Sequence, residues 1–173
     1  MCISVRANAR ELATREMPPM EELIYRCAQF HMEHIAGGDP FEMGSSRPLD
    51  FGHWSAHKLE QLTDFNLRHG EAVAIGIALD STYSYLKGMI SLGDLHRIIS
   101  LLKKLGFTVH IPELSEENLL KGLGEFREHL GGELTIMLLG DIGSGVEVHE
   151  MDTDLILIAA EKLRSFEEEK FPV

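Results

Sequence analysis

The chain has 173 residues with sixteen Lys plus Arg against 28 Asp plus Glu, a formal net charge of −12, and nine histidines. Hydrophobic residues make up 44% and charged residues 25%, which is a globular composition and excludes general disorder. The acidic balance argues against nucleic-acid binding, and no apolar run approaches the ~18–20 residues needed to span a bilayer.

The N-terminal stretch, MCISVRANARELATRE, lacks the apolar core and cleavage site of a secretory signal. Cys2 and Cys27 are therefore expected to be free thiols in a reducing cytoplasm. Residues 20–36 place Leu23, Ile24, Cys27, Phe30 and Ile35 at helical spacing, with Pro18 and Pro19 at the start and Gly37 and Gly38 at the stop. Residues 37–52 hold four Gly, two Pro and two Ser without a period and read as a loop, functional or mobile. His53 to Leu62 reads as a short helix. Arg68 to Leu86 reads as a long helix, apolar on nearly all sides in its first half and hence buried, with Gly70 and Gly76 serving close packing.

Residues 91–105 are amphipathic, with Ser91 as N-cap, Lys103 and Lys104 in the last turn, and Gly106 as the stop. A further helix opens at Ser115-Glu-Glu-Asn118 and runs to His129. Residues 134–139 and 146–150 are short, partly β-branched runs, read as a hairpin with a longer loop GDIGSG between them. Thr153 to Glu168 closes the chain as a helix. The expected fold is mainly α: a bundle-like domain over 1–173, with about six helices and one small hairpin.

The chemistry concentrates in Gly52-His53-Trp54-Ser55-Ala56-His57. His53 and His57 are i and i+4, so both imidazoles leave one helix face. His69 follows at the start of the buried helix, and a turn between the helices could return it to His53. Three histidines beside a glycine-rich loop suit zinc, but their spacing fits a polar helix face equally well. Trp54 stands where a metalloprotease needs glutamate, which excludes that motif. Arg47 could clamp a carboxylate or phosphate, and Asp50 could accept a ligand hydroxyl or cap the helix. Asp39 and Glu42 suit a solvated loop. Gly140, Gly143 and Gly145 read as turn glycines rather than a dinucleotide site. His31 and His34 are expected at the surface, and His96, His110, His129 and His149 have no organised neighbours in sequence.

Arg47-Pro-Leu-Asp-Phe-Gly-His53-Trp-Ser-Ala-His57-Lys-Leu-Glu60 followed by His69-Gly-Glu-Ala-Val-Ala-Ile-Gly76 resembles the dehydroquinate synthase family of sugar phosphate cyclases. That family carries Asn-Phe-Gly-His-x-x-x-His and then His-Gly-Glu-Ala-Val-Ala-Ile-Gly. The Asp39-x-x-Glu42 loop, the Lys87-Gly-Met-Ile-Ser91 junction and the hairpin are similar in order, so the resemblance covers roughly residues 20–160. It implies the helical C-terminal domain of a two-domain enzyme that uses NAD and zinc to expel phosphate from a sugar phosphate and close a carbocycle. Carried over by position, His53 and His69 match zinc ligands, His57 an active-site histidine, and Arg47 and Asp50 substrate-contacting positions.

The sequence also departs from the family. It begins inside the pattern, so NAD is expected only through a missing domain or a partner, and zinc is expected to be held weakly without the family's glutamate ligand unless another carboxylate or a partner chain replaces it. Asp50 replaces the family's Asn, and Arg47 lies one residue closer to the histidine. His31-Met-Glu-His34 and Phe126-Arg-Glu-His129 stand where lysines are expected, and Trp54 fills a position where the family more often has Thr. These changes resemble the cyclases that act on sedoheptulose 7-phosphate. Two readings follow: half of a sugar phosphate cyclase, inactive alone, or a non-catalytic helical module that binds a metal or an anion. An exposed apolar face is expected to drive homo-oligomerisation.

Overall fold

The computed structural model describes residues 2–36, 50–114, 116–129 and 134–168. Among these, eight helices and one hairpin form: α1 (Cys2–Ala7), α2 (Ala9–Ala13), α3 (Met17–Ala36), α4 (His53–Leu62), α5 (His69–Leu86), α6 (Leu92–Lys104), α7 (Glu116–His129), β1 (Ile136–Asp141), β2 (Ser144–Val148) and α8 (Thr153–Glu168). All six expected helices are present. Two short ones precede them, α1 and α2, in a segment to which the sequence reading assigned no element. Helices of five or six residues are marginal alone; α2 is held because Ala9 and Leu12 are buried, with α6 and α3 as neighbours. None of the helices is long and apolar enough to cross a membrane.

Helix α5 is the hub. It packs against α4, α6, α8 and β1. Ile75, Leu79 and Tyr83 are fully buried in a core completed by Leu95, Ile99, Leu138, Ile156 and Leu163. Its second half is polar as well as buried: Asp80, Ser81, Thr82 and Ser84 have no exposure. Most of these groups act as docking points. Thr82 Oγ1 and Ser84 Oγ donate to carbonyls one turn back, at 2.8 Å each. Ser84 Oγ also accepts from Leu139 N of β1 at 3.2 Å, and Tyr83 OH accepts from Asp152 N at 2.9 Å.

Helix ends follow one pattern. After α2, α4, α5 and α6, paired backbone bonds close the last turn with the next residue at positive φ: Arg15 (62°), Asp64 (50°), Gly88 (75°) and Gly106 (90°). The two glycines accept that conformation freely, whereas Arg15 and Asp64 do not. At its start, α6 is capped by Ser91, whose Oγ accepts from Asp94 N at 3.1 Å. Lys103 donates from Nζ to the carbonyls of Phe166 (2.6 Å) and Glu167 (3.0 Å), placing a cation on the C-terminal end of α8.

The hairpin corrects the sequence reading in length. Strand pairing continues to Asp141↔Ser144, so the connection is the two residues Ile142 and Gly143 rather than a six-residue loop. Gly143 takes φ 91°, as a turn glycine should.

Candidate metal centre

The corner between α4 and α5 collects three imidazoles. His53 and His57 leave one face of α4, and His69 begins α5 after a turn through Asp64 and Phe65. Ring centroids are 5.3 Å apart for His53 and His69, 5.8 Å for His53 and His57, and 6.0 Å for His57 and His69. His53 Nδ1 lies 3.3 Å from Phe51 O, and His69 Nδ1 lies 3.2 Å from Glu60 Oε2. A proton on each Nδ1 satisfies those oxygens and leaves each Nε2 lone pair for another partner.

Glu60 is the carboxylate of this corner. Ligating atoms of His57, Glu60 and His69 all lie within 4.8 Å of one another. Imidazoles plus one carboxylate are a zinc donor set, with Zn–N and Zn–O bonds near 2.0–2.2 Å. The residues present therefore fit a zinc ion: His57, His69 and Glu60 bring their ligating atoms together, and the His53 ring lies beside them.

Local sequence explains the corner. His69, Gly76 and Asp80 lie at i, i+7 and i+11 on one face of α5, the face toward α4. Gly52 sits at the start of α4 with φ 82°, a conformation that favours glycine. A Cβ at Gly76 would lie 1.8 Å from Gly52 O, and one at Gly52 would lie 2.6 Å from Ile77 N. The two backbones touch only because both positions lack side chains. Gly70, by contrast, has no atom within 4 Å of such a Cβ, so its expected packing role is not found.

Asp80 fastens the same turn. Its Oδ2 accepts from Gly52 N at 3.0 Å and its Oδ1 from Trp54 Nε1 at 2.7 Å. Complete burial pushes its carboxyl up to about 7; the bonds from Trp54 and Gly52 act the other way and offset only part of that.

The remaining candidates are spread out. Arg47, Asp39 and Glu42 lie outside the described residues. Asp50 is half-buried three residues before His53, but Gly52 occupies the N-cap of α4, so helix capping by Asp50 is not found. His31 is exposed on α3, His96 meets Phe166 edge-on at 5.7 Å, and His149 Nδ1 lies 2.9 Å from Leu134 O. The side chains of His34 and His129 are outside the described residues. Burial, the largest influence, pulls the His110 imidazole down. Sequence reasoning missed Glu60 and Asp80. Glu60, three residues after His57 on α4, was findable from helical spacing. Asp80 was not, because its partners lie 26 and 28 residues away.

Comparison with known proteins places this corner in context. Residues 2–125 match the family model described as 3-dehydroquinate synthase C-terminal. A 3-dehydroquinate synthase from Vibrio atlanticus is 34% identical over 160 residues, covering 91% of this chain and 44% of that protein. A 2-epi-valiolone synthase from Actinosynnema mirum is 27% identical over 165 residues, covering 92% of this chain and 43% of that protein. The chain thus spans less than half the length of these curated relatives. The fold matches a solved 2-epi-5-epi-valiolone synthase from Streptomyces hygroscopicus subsp. jinggangensis 5008, which has NAD+ and Zn2+ bound, with TM-score 0.86 and 24% identity over 95% of this chain and 46% of that one. With its family match extending over the histidine corner, the chain belongs to the 3-dehydroquinate synthase C-terminal family.

Proposed function

We propose that this chain is the metal- and substrate-side domain of a sugar phosphate cyclase, working with an NAD-binding domain to eliminate phosphate and close a carbocycle. The observation that carries the reading is the convergence of His53, His57 and His69 with Glu60 at one helix corner. His53 and His69 serve as zinc ligands through Nε2. Glu60 either orients His69 from Nδ1 or supplies the carboxylate ligand itself, since its oxygen lies within reach of both tasks. Bound zinc supplies Lewis-acid polarisation of substrate oxygens.

His57 is exposed, so its imidazole can meet substrate from the solvent side and take or return a proton. Arg47 and Asp50 contact the substrate, the guanidinium suiting a phosphate and the carboxylate a hydroxyl. The free, exposed Cys27 thiol supports a cytoplasmic setting. Exposed apolar side chains on α3, Ile24, Tyr25, Phe30 and Met32 among them, support self-association into a homo-oligomer.

Zinc affinity tests this reading directly. Competition with a chromogenic chelator should show one zinc per chain, lost in His53→Ala and His69→Ala and weakened about 10–100-fold in Glu60→Gln. Equal zinc uptake by wild type and both histidine variants would refute the ligand assignment. Phosphate release from sedoheptulose 7-phosphate, once an NAD-binding domain of a relative is added, would support the cyclase reading. Zinc uptake without any release would instead leave the chain a non-catalytic metal-binding module.

A further inference from the structure

We propose that Asp80 is a positioning residue: it fixes the turn carrying His53 against α5 and so sets the separation of His53 from His69. The carboxylate has no exposed surface, and its two oxygens accept separate N–H donors on either side of His53. Those donors belong to Gly52 and Trp54, so the backbone is held at points one residue before and one residue after His53. The His53 ring is in turn directed by Phe51 O, next in the chain to the fastened Gly52. His69 begins the helix on which Asp80 sits, and both share the face turned to α4. The separation of the two histidines is thereby referred to one rigid element.

A purely structural carboxylate would be an uneconomical choice here. A buried carboxylate is costly unless paired, and among the described residues both partners of Asp80 are neutral N–H groups. Apolar contact between α4 and α5 already exists through Leu59, Ile75 and Leu79. What the carboxylate adds is two directed bonds, which apolar packing cannot supply. Sequence spacing gave no sign of this link, yet Trp54 is one of the departures from the family pattern noted above. Its indole N–H is one of the two groups that Asp80 receives.

The metal consequence rests on the reading of His53 and His69 as ligands, but the positioning does not. The test uses the full chain with 13C-labelled histidine, as wild type, Asp80→Asn, Trp54→Phe and Tyr83→Phe. The last weakens α5 elsewhere, at its bond to Asp152, and serves as a matched destabilised control. Asp80→Asn and Trp54→Phe should shift the His53 ring resonances, speed Gly52 amide exchange by about tenfold or more, and weaken zinc binding about 10–100-fold, the range seen when groups behind metal ligands are lost. Tyr83→Phe should change none of the three. If Asp80→Asn does not fold, Trp54→Phe carries the test, because it removes one bond and keeps an aromatic ring. Wild-type resonances and wild-type Gly52 protection in the folded variants would overturn the proposal. If the wild-type chain takes up no zinc, the metal reading falls, while shifted His53 resonances would still uphold the positioning role.

Discussion

Replacing Gly76 by alanine tests whether the α4–α5 corner depends on backbone contact. The added Cβ would lie 1.8 Å from Gly52 O, 2.7 Å from Gly52 C and 3.1 Å from Gly52 Cα. Ordinary contact begins near 3.4 Å, so the turn must retreat by more than an ångström. Retreat strains or opens the Gly52 N to Asp80 bond, and overpacking of this kind costs about 1–3 kcal/mol. Alanine recovers about 1 kcal/mol through helix propensity. These two terms give a net loss of about 0–2 kcal/mol, and the buried N–H left unpaired adds about 1–3 kcal/mol more. Gly124→Ala in α7 is the control: no atom lies within 4 Å of its Cβ, so it should gain about 1 kcal/mol. Urea unfolding separates the two, the midpoints moving in opposite directions with unchanged slope. A Gly76→Ala chain unfolding at or above the wild-type midpoint would refute the claim that glycine-sized clearance holds α4 on α5.

Three more outcomes are expected. The folded Asp80 carboxyl titrates near 7 against an ordinary 3.8, so its stabilising contribution is fully present below about pH 3.8 and is lost as pH rises toward 7, by up to about 4 kcal/mol. The stability of wild type relative to Asp80→Asn should therefore fall between pH 4.5 and 8 in urea titrations; a constant or growing difference would contradict the burial argument. Asp64→Gly relieves a left-handed residue at the end of α4 and should raise stability by about 0.5–1 kcal/mol, read as a higher melting temperature. Tyr83→Phe leaves the Asp152 N–H without its partner and should cost about 1–3 kcal/mol, with faster exchange of that amide as the local signature.

Local order was legible wherever a residue's partner lies within a turn of helix. Ser91 and Asp94, the i, i+4 pair His53 and His57, and the stop at Gly106 are all of this kind. The return of His69 to His53 was legible too, because a short turn between two helices leaves few alternatives. Contacts across the fold were not. The bonds that Asp80 accepts from Gly52 and Trp54, and that Tyr83 accepts from Asp152, join residues 26 to 69 positions apart. The sequence reading gave the polar second half of α5 no role; it is buried because it serves as the attachment strip for β1, the start of α8 and the His53 turn. Helices α1 and α2 escaped notice because their order comes from docking, α2 on α6 and α3 and α1 on α2, not from a repeating apolar pattern.

The contact of Gly52 with Gly76 has a consequence for how such chains can change over generations. Neither position can accept a side chain while the other backbone stays where it is, so substitution at one site is blocked until the helices part. Positions 54 and 80 carry a softer rule. An acid at 80 without a donor at 54 leaves a buried oxygen short of a partner, and an indole at 54 without an acceptor at 80 strands its N–H. Among relatives, the first pair should remain unvaried together, and the second should switch together, Trp with Asp and neither alone. Inheritance at this corner is thus counted in pairs of residues.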